Sequence, residues 1–314
     1  MTAEKKTRWG FIRNLGPLLG LVILCVVLTG LSDRFLTMDN LLNVTRQVSI
    51  NAVISVGMTL VILTGGIDLS VGSILAFAGS ITAGLLSGGQ SLVPAIIVGV
   101  VAGAFIGMIN GALITRAGIP PFIATLGTMT AARGFTLVYT DGRPITGMEE
   151  AFRFLGGGYI AGIPVPVIIM AVIFLLAHIM LTRTKFGRYV YAIGGNEEAA
   201  RLSGIGTKKI LLSVYTLAGL LAGFSGVIMA SRLNSAQPTA GAGFELDAIA
   251  AVVLGGTSLS GGVGTVGGTL IGAMIIGVLD NGLNLLNVSS FYQQVAKGVV
   301  ILLAVYVDKK RKGG

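Results

Sequence analysis

Residues 194–206 read Gly-Gly-Asn-Glu-Glu-Ala-Ala-Arg-Leu-Ser-Gly-Ile-Gly, and they lie in the longest strongly polar interval between two apolar halves of the chain. Asn196 can cap the start of a helix, and the two glutamates after it suit the positive end of the helix dipole. Gly204 is a typical helix stop. The pattern predicts a helix of two or three turns in water, held between two membrane spans. Because so short a polar helix adds little to a hydrophobic core, we expect it to contact something outside the membrane.

The composition is typical of a membrane protein. Of 314 residues, 53% are hydrophobic and 11% are charged, and the mean hydropathy is +0.87, whereas soluble domains carry about 25% charge. The 48 glycines suit close approach of helices in a bilayer. Cys25 is the single cysteine and His178 the single histidine. We therefore expect no intramolecular disulfide, no metal site and no cofactor.

The net charge of +9 would be compatible with nucleic-acid binding, but the Lys and Arg residues cluster at the ends of apolar stretches. That distribution favours contact with anionic membrane lipid and control of orientation, and we expect no nucleic-acid partner.

The hydropathy pattern predicts an all-α polytopic membrane protein with about ten transmembrane helices. The expected spans cover about 15–32, 41–64, a third ending at 86, 94–116, 121–139, 163–182, 209–231, a short 246–256, 263–283 and 290–307. They divide the chain into a basic N-terminus at 1–14, a transmembrane domain at 15–308 and a basic tail at 309–314. With ten spans, fifteen of the 22 Lys and Arg residues lie on the side of both termini and four on the other. The positive-inside rule therefore places both termini and the loop 183–208 in the cytoplasm.

Glycine spacing predicts how some spans meet. Glycines recur every fourth residue at 99, 103, 107 and 111, and again at 264, 268 and 272 in the ninth span. Such smooth ridges favour close helix crossing.

Two glycine-rich stretches resemble each other. Residues 65–72 match residues 255–262 at five of eight positions. In each, a glycine pair can stop one helix, and Asp68 or Ser258 can cap the next. Glycine-interrupted spans in two halves are typical of a transport pathway, and two similar tight turns would produce the same match.

Nucleotide-binding patterns fail on context. Residues 262–267 fit G-x-G-x-x-G, but membrane spans flank them, and that fingerprint requires a soluble βαβ unit. No G-x-x-x-x-G-K-[ST] occurs, since no glycine precedes a lysine. We expect no ATP binding through a phosphate loop in this chain.

Ionisable residues within the spans are few, and such residues usually face protein or a water cavity. Arg133 and Lys297 either line a polar path or pack and snorkel. Asp280 is expected to stand alone near a span end, whereas ion-coupled carriers normally show paired carboxylates. On the outer face, Glu245 and Asp247 suit the start of the short span. Four outer arginines either receive carboxylates of an external partner or are solvated: Arg34, Arg143, Arg153 and Arg232.

Three stretches together resemble one family. Glu198-Ala199-Ala200-x-x-x-Gly204 is similar to the EAA loop of ATP-binding-cassette (ABC) importer permeases, which docks as a short coupling helix on the ATPase. Residues 57–73, with Gly-Gly-Ile-Asp-Leu-Ser-Val-Gly-Ser, and residues 235–262 resemble the ribose and monosaccharide branch of that family. The likeness covers nearly the whole chain. It departs from the fuller EAA pattern downstream, since no Leu-Pro follows Ile210.

The resemblance implies the permease subunit of an importer in the bacterial cytoplasmic (inner) membrane, which moves a monosaccharide, expected to be ribose, by alternating access. It implies a homodimer, an extracytoplasmic sugar-binding protein and a cytoplasmic ABC ATPase with two nucleotide-binding modules that hydrolyses the ATP. Residues assigned to ATPase coupling are Asn196, Glu197, Glu198, Ala199, Ala200, Arg201, Gly204 and Ile205.

A neutral sugar needs hydrogen-bonding groups along its path. The candidates are Asn51, Thr59, Asn110, Asn284, Arg133 and Lys297. Each could instead form an interhelical hydrogen bond. The alternatives to the importer subunit are a self-sufficient secondary sugar carrier or channel, and a membrane enzyme or scaffold. An enzyme would need a reactive polar cluster, which the sequence lacks.

Overall fold

The computed structural model describes the backbone of residues 3–312 and the side chains of residues 16–303, 305 and 306. Thirteen helices run through the described chain: α1 (Ala3–Leu31), α2 (Met38–Leu63), α3 (Val71–Ser87), α4 (Leu92–Thr115), α5 (Pro121–Thr140), α6 (Glu150–Gly157), α7 (Val165–Arg183), α8 (Lys185–Gly195), α9 (Glu197–Leu202), α10 (Thr207–Leu233), α11 (Phe244–Leu254), α12 (Val266–Leu285) and α13 (Ser290–Lys312). Four two-residue strands lie between some of these helices: β1 (Ile145–Thr146), β2 (Tyr159–Ile160), β3 (Ile163–Pro164) and β4 (Ser235–Ala236). The fold is helical, as predicted, apart from these strands. The side chains of the predicted basic N-terminus and tail lie outside the described residues.

Five of the described helices are long and apolar enough to cross a membrane: α2, α4, α7, α10 and α12. Two shorter apolar helices, Gly16–Leu31 and α3, accompany them. Helix α11 has 11 residues, and at 1.5 Å per residue it is about 16 Å long, roughly half of a hydrocarbon core of about 30 Å. The count of ten spans and the cytoplasmic position of both termini stay predictions.

Helix α2 runs through the centre of the molecule. It contacts α7, α8, α10, α11 and α12, and 83% of its most apolar window is buried. A helix that is apolar on all sides requires such surroundings. These five helices therefore surround it.

The first glycine ridge lets α4 cross α10 at close range. A Cβ added to Gly103 would lie 2.7 Å from Gly219 O, and one added to Gly107 would lie 3.0 Å from Gly219 Cα. The predicted close crossing is confirmed, since no side chain fits between the two backbones. In the second ridge Gly272 packs on Ala251 of α11 and Gly268 on Gly255 directly after α11, but Gly264 precedes α12 and is not part of a helical ridge.

The two similar glycine stretches end their helices with the same hydrogen bonds. We call residues 64–70 the first turn and residues 255–265 the second turn. Gly65 follows α2 with φ +81°, and Gly256 follows α11 with φ +85°. In both turns the glycine N–H donates to the carbonyl three residues back at 2.9 Å, and the next N–H donates five residues back at 3.1 Å. This is the Schellman stop, and the predicted role of each glycine pair is confirmed.

Neither of the predicted residues caps the helix after its stop. Asp68 Oδ1 accepts from the N–H of Ser70 at 2.8 Å, but Ser70 itself is the cap residue directly before α3. Ser258 does not cap α12, so that prediction is wrong. The cap is Thr265, whose Oγ1 accepts from Gly268 N–H at 3.0 Å, because the second turn continues several residues further before its helix starts.

Candidate functional site

The predicted polar helix is present as α9, with six residues. Asn196 Oδ1 accepts a hydrogen bond from Ala199 N–H at 2.8 Å, as a helix cap does. Gly204, with φ +84°, ends the helix, and its N–H donates to Arg201 O at 3.0 Å. Cap and stop lie where the sequence predicts them, and the six residues of α9 make about 1.7 turns, slightly fewer than the expected two or three.

Helix α9 touches the rest of the chain through one buried side chain. Ala200 is 5% exposed and packs with Ile193 and Leu211, with Ile205 partly buried beside them. Every other residue of α9 is exposed, including Leu202 at 74%. Leu202 is not among the predicted coupling residues, although an apolar residue on a short charged helix is a usable signal. A single exposed apolar side chain is common on protein surfaces, so Leu202 points to a contact only together with the charged residues beside it.

Glu198 and Arg201 form a pair on the exposed face of α9. Arg201 Nε donates to Glu198 Oε2 at 3.0 Å, and the side chains are 60% exposed for Arg201 and 65% for Glu198. The hydrogen bond from Arg201 lowers the pKa of Glu198. Glu198 is thus presented to solvent as a carboxylate whose position is set by its neighbour one turn later.

Two of the proposed path residues form hydrogen bonds between helices. Thr59 is fully buried, and its hydroxyl lies 2.7 Å from that of Thr269. Asn110 is also fully buried; it donates to Ser70 Oγ at 2.8 Å and accepts from Thr128 Oγ1 at 2.6 Å. For both residues the geometry supports the interhelical role that the sequence left open.

The other proposed path residues are dispersed. Asn51 is half-buried in α2, and exposed Asn284 accepts from Gln293 Nε2 at 2.8 Å. Arg133 donates to two backbone carbonyls of the loop 238–240, at 2.7 and 2.8 Å. The six proposed residues belong to five helices, α2, α4, α5, α12 and α13. Arg133 thus holds the loop between α10 and α11.

Lys297 bridges two carboxylates from different helices. Its Nζ lies 3.0 Å from Asp247 Oδ2 of α11 and 2.9 Å from Asp280 Oδ2 of α12. The prediction that Asp280 stands alone is wrong, because packing of α11, α12 and α13 brings sequence-distant charges together. A charge removed from water needs such partners. The ion group therefore ties α13 to the two preceding helices.

The segments that carry three of the four outer arginines meet at the end of α10 remote from α9. Arg143 precedes β1, which pairs with β4 directly after α10. Arg153 lies on α6, which packs on α10, and half-buried Arg232 is in the last turn of α10. Arg34 lies in the turn between α1 and α2. The strand pairing that joins these segments was not foreseen.

Arg46 adds a second positive charge beside Arg232, which it repels. Its guanidinium lies 5.1 Å from the ring centroid of Tyr159 and donates to the Tyr159 hydroxyl. The described carboxylates form no salt bridge with either arginine. Arg46 falls within the predicted span 41–64 and is therefore not among the predicted outer arginines.

Comparison with known proteins gives consistent matches. The family model described as branched-chain amino acid transport system, permease component, matches residues 40–305. The ribose import permease protein of Bacillus subtilis (strain 168) is 57% identical over 313 residues, which is 99% of this chain and 97% of the relative. The ribose import permease protein of Escherichia coli (strain K12) is 53% identical over 299 residues, 94% of this chain and 93% of the relative. The D-allose transport system permease protein of E. coli (strain K12) is 42% identical over 291 residues, 92% and 89% of the two chains. No solved structure matches the chain.

Proposed function

The chain belongs to this family of transport-system permease components, and we propose that it is the membrane subunit of an ATP-driven importer that carries ribose across the bacterial inner membrane. The observation that carries the cargo is the 57% and 53% identity, over nearly full length, to two proteins named ribose import permeases. Identity to the allose permease is lower, at 42%. Five apolar helices long enough to cross a bilayer support the location.

Helix α9 is the proposed contact for a separate cytoplasmic ATPase with two nucleotide-binding modules. Three features support this role: its cap and stop fix it as a rigid turn, all its residues but Ala200 are exposed, and it presents both a carboxylate and Leu202 to solvent. The chain itself has no phosphate loop. ATP hydrolysis is therefore assigned to the partner, and this subunit to transport.

The decisive experiment is ribose uptake into proteoliposomes that contain this chain, the ATPase and the sugar-binding protein. We expect uptake that needs ATP and all three proteins. Vesicles with this chain alone and an ion gradient should take up no ribose, whereas uptake there would favour the alternative, a self-sufficient carrier or channel.

The coupling contact is tested by charge reversal. Glu198→Lys inverts the charge next to Arg201, and we expect the ATPase to co-purify poorly and uptake to fall. Exposed Glu150, at the start of α6 on the opposite side, supplies the matched control, and Glu150→Lys should leave co-purification of the ATPase unchanged. Normal association and uptake in Glu198→Lys would exclude α9 as the contact.

The outer end of α10 is the proposed docking surface for the sugar-binding protein. Arg143, Arg153, Arg232 and Arg46 supply positive charge there, and the described carboxylates leave the last two without a salt bridge. Carboxylates of the partner would fit this surface. Arg143→Glu should weaken binding of the sugar-binding protein. Arg116→Glu, at the C-terminal end of α4 and away from this surface, should not.

Alternating access in a homodimer completes the proposal. Sugar would pass between two copies of this subunit as ATP binding and hydrolysis move the paired α9 helices. The helix stops at Gly65 and Gly256, after α2 and α11, support a transport pathway that contains movable segments. Cross-linking of the purified protein in lipid vesicles should trap a dimer of the permease.

A further inference from the structure

Helix α8 ends in backbone contact with the second turn and with Leu63, the last residue of α2 before the first turn. Gly262 N–H, in the second turn, donates to Leu63 O at the end of α2 at 2.9 Å. Gly194 of α8 faces these same two atoms so closely that a Cβ on Gly194 would collide with both. A Cβ on Gly261 would lie 2.9 Å from Gly194 Cα and 2.9 Å from Gly65 N. Three segments of the chain thus meet at Gly194 without an intervening side chain.

A side-chain hydrogen bond fixes α8 at the same place. Tyr191, one helical turn before Gly194, donates from its hydroxyl to Gly264 O at 2.9 Å. Val190 and Ile193 bury the inner face of α8. Helix α8 is therefore attached to the second turn at two points and to the end of α2 at one.

The same end of α8 leads directly into the exposed helix α9. Asn196 is the only residue between them, and it serves as the last cap of α8 and the first of α9. Its backbone N–H donates to Ala192 O at 3.1 Å, while its side chain caps α9. A displacement of α9 is therefore passed to Gly194 through a single capped residue.

We propose that Gly194 and Tyr191 are positioning residues that connect α9 to the end of α2 and to the second turn at one point. A displacement of α9 would then shift the first and second turns together. The inference rests on the proposed function of α9. Close-packed backbone atoms transmit displacement because they have no free volume to absorb it. The two turns lie in opposite halves of the chain, so this junction coordinates the movement of the two halves.

The neighbouring Gly195 supplies a matched control. It belongs to the same helix as Gly194, so replacement by alanine changes helix propensity equally at both positions. A Cβ on Gly195 would meet no heavy atom within 4 Å, whereas one on Gly194 meets Leu63 O and Gly262 N. The two variants thus differ in the junction alone.

The test measures ribose uptake and ATP hydrolysis in the same proteoliposomes, which contain this chain, its ATPase and the sugar-binding protein. We expect Gly194→Ala to lower the ribose taken up per ATP hydrolysed by about fivefold or more, the scale of typical coupling between sites, while the ATPase stays bound. Gly195→Ala should stay within about twofold of the wild type. An unchanged ratio in Gly194→Ala, or an equal loss in both variants, would overturn the proposal.

Tyr191→Phe keeps the test decisive where Gly194→Ala fails to insert into the membrane. It removes the hydrogen bond to Gly264 O at nearly constant volume, and we expect about a threefold lower ratio of ribose to ATP with normal amounts of protein, the scale of one hydrogen bond. A wild-type ratio in Tyr191→Phe contradicts the proposal. If the wild-type complex itself shows no ATP-dependent ribose uptake, the proposed function fails, and the junction loses its role with it.

Discussion

The first and second turns stop their helices with the same hydrogen bonds, but they are embedded differently. The first turn is joined by polar side chains to α4 and α5, through Ser70, Asn110 and Thr128. The second turn is pressed against the backbone of α12, where Gly255 meets Gly268. The same local structure therefore occurs in two different surroundings, and the two glycines of each pair have different roles.

The position of the left-handed glycine shows this difference most directly. In the first turn it is the first glycine of the pair, Gly65, and in the second turn it is the second glycine, Gly256. The other glycine of each pair, Gly66 or Gly255, does not have a positive φ and is needed for space. A Cβ on Gly66 would meet the hydroxyl of Tyr215, and a Cβ on Gly255 would lie 2.4 Å from the carbonyl carbon of Gly268. The sequence match between the turns is therefore offset by one residue from their structural match.

The largest expected effect is a difference in stability loss between variants of Gly255 and Gly66, the two glycines that are needed for space. Gly255→Ala should lower the free energy of unfolding by about 3 kcal/mol, the upper range for overpacking, because the backbone of α12 cannot move locally. Gly66→Ala should cost less, since only the end of the Tyr215 side chain stands in its way. Thermal unfolding of the purified protein in detergent, followed by far-ultraviolet circular dichroism, measures both. Tyr215→Phe should restore part of the loss in Gly66→Ala and none in Gly255→Ala.

An intermediate effect tests the two left-handed glycines. Gly65→Ala and Gly256→Ala should each cost about 1.5 kcal/mol, because an L-residue with positive φ is strained. An added Cβ has no contact closer than 3.8 Å at Gly65 and none within 4 Å at Gly256, so steric overlap adds little. Asparagine tolerates this conformation better, and both Gly→Asn variants should unfold at higher temperatures than their alanine counterparts. Unequal losses at the two sites would mean that the stops are not equivalent.

Much of the helical framework could be predicted from hydropathy and from residues that act locally. The expected spans 41–64, 94–116 and 163–182 correspond to α2, α4 and α7 within a few residues. The cap at Asn196 and the stop at Gly204 were also predicted correctly. Such features depend on side chains within one or two turns, which a single sequence displays.

Features that depend on distant partners could not be predicted. Lys297 and its carboxylates lie on three helices, and only their packing reveals the ion group. The sequence predicts a polar loop in place of α8, because the buried face of this helix is narrow and charged residues flank it. The contact of Gly194 with Leu63 and Gly262 likewise follows from the arrangement of α2, α8 and the second turn, which no local pattern contains.

The smallest expected effect compares a polar side chain from each turn. Ser70 Oγ donates to Asp68 Oδ1 at 2.6 Å and accepts from Asn110 Nδ2 at 2.8 Å, and it is fully buried. Ser258 Oγ accepts one longer bond, 3.2 Å, from Ser260 N–H. Ser70→Ala should therefore cost about 1 kcal/mol and Ser258→Ala about 0.5 kcal/mol, since the first leaves the buried Asn110 amide without this acceptor.

The same unfolding measurement applies to both variants. Asn110→Ala supplies the control, because combining it with Ser70→Ala should cost less than the sum of the two single variants. Equal losses in the two serine variants would show that the second turn is tied to its neighbours by polar contacts as firmly as the first.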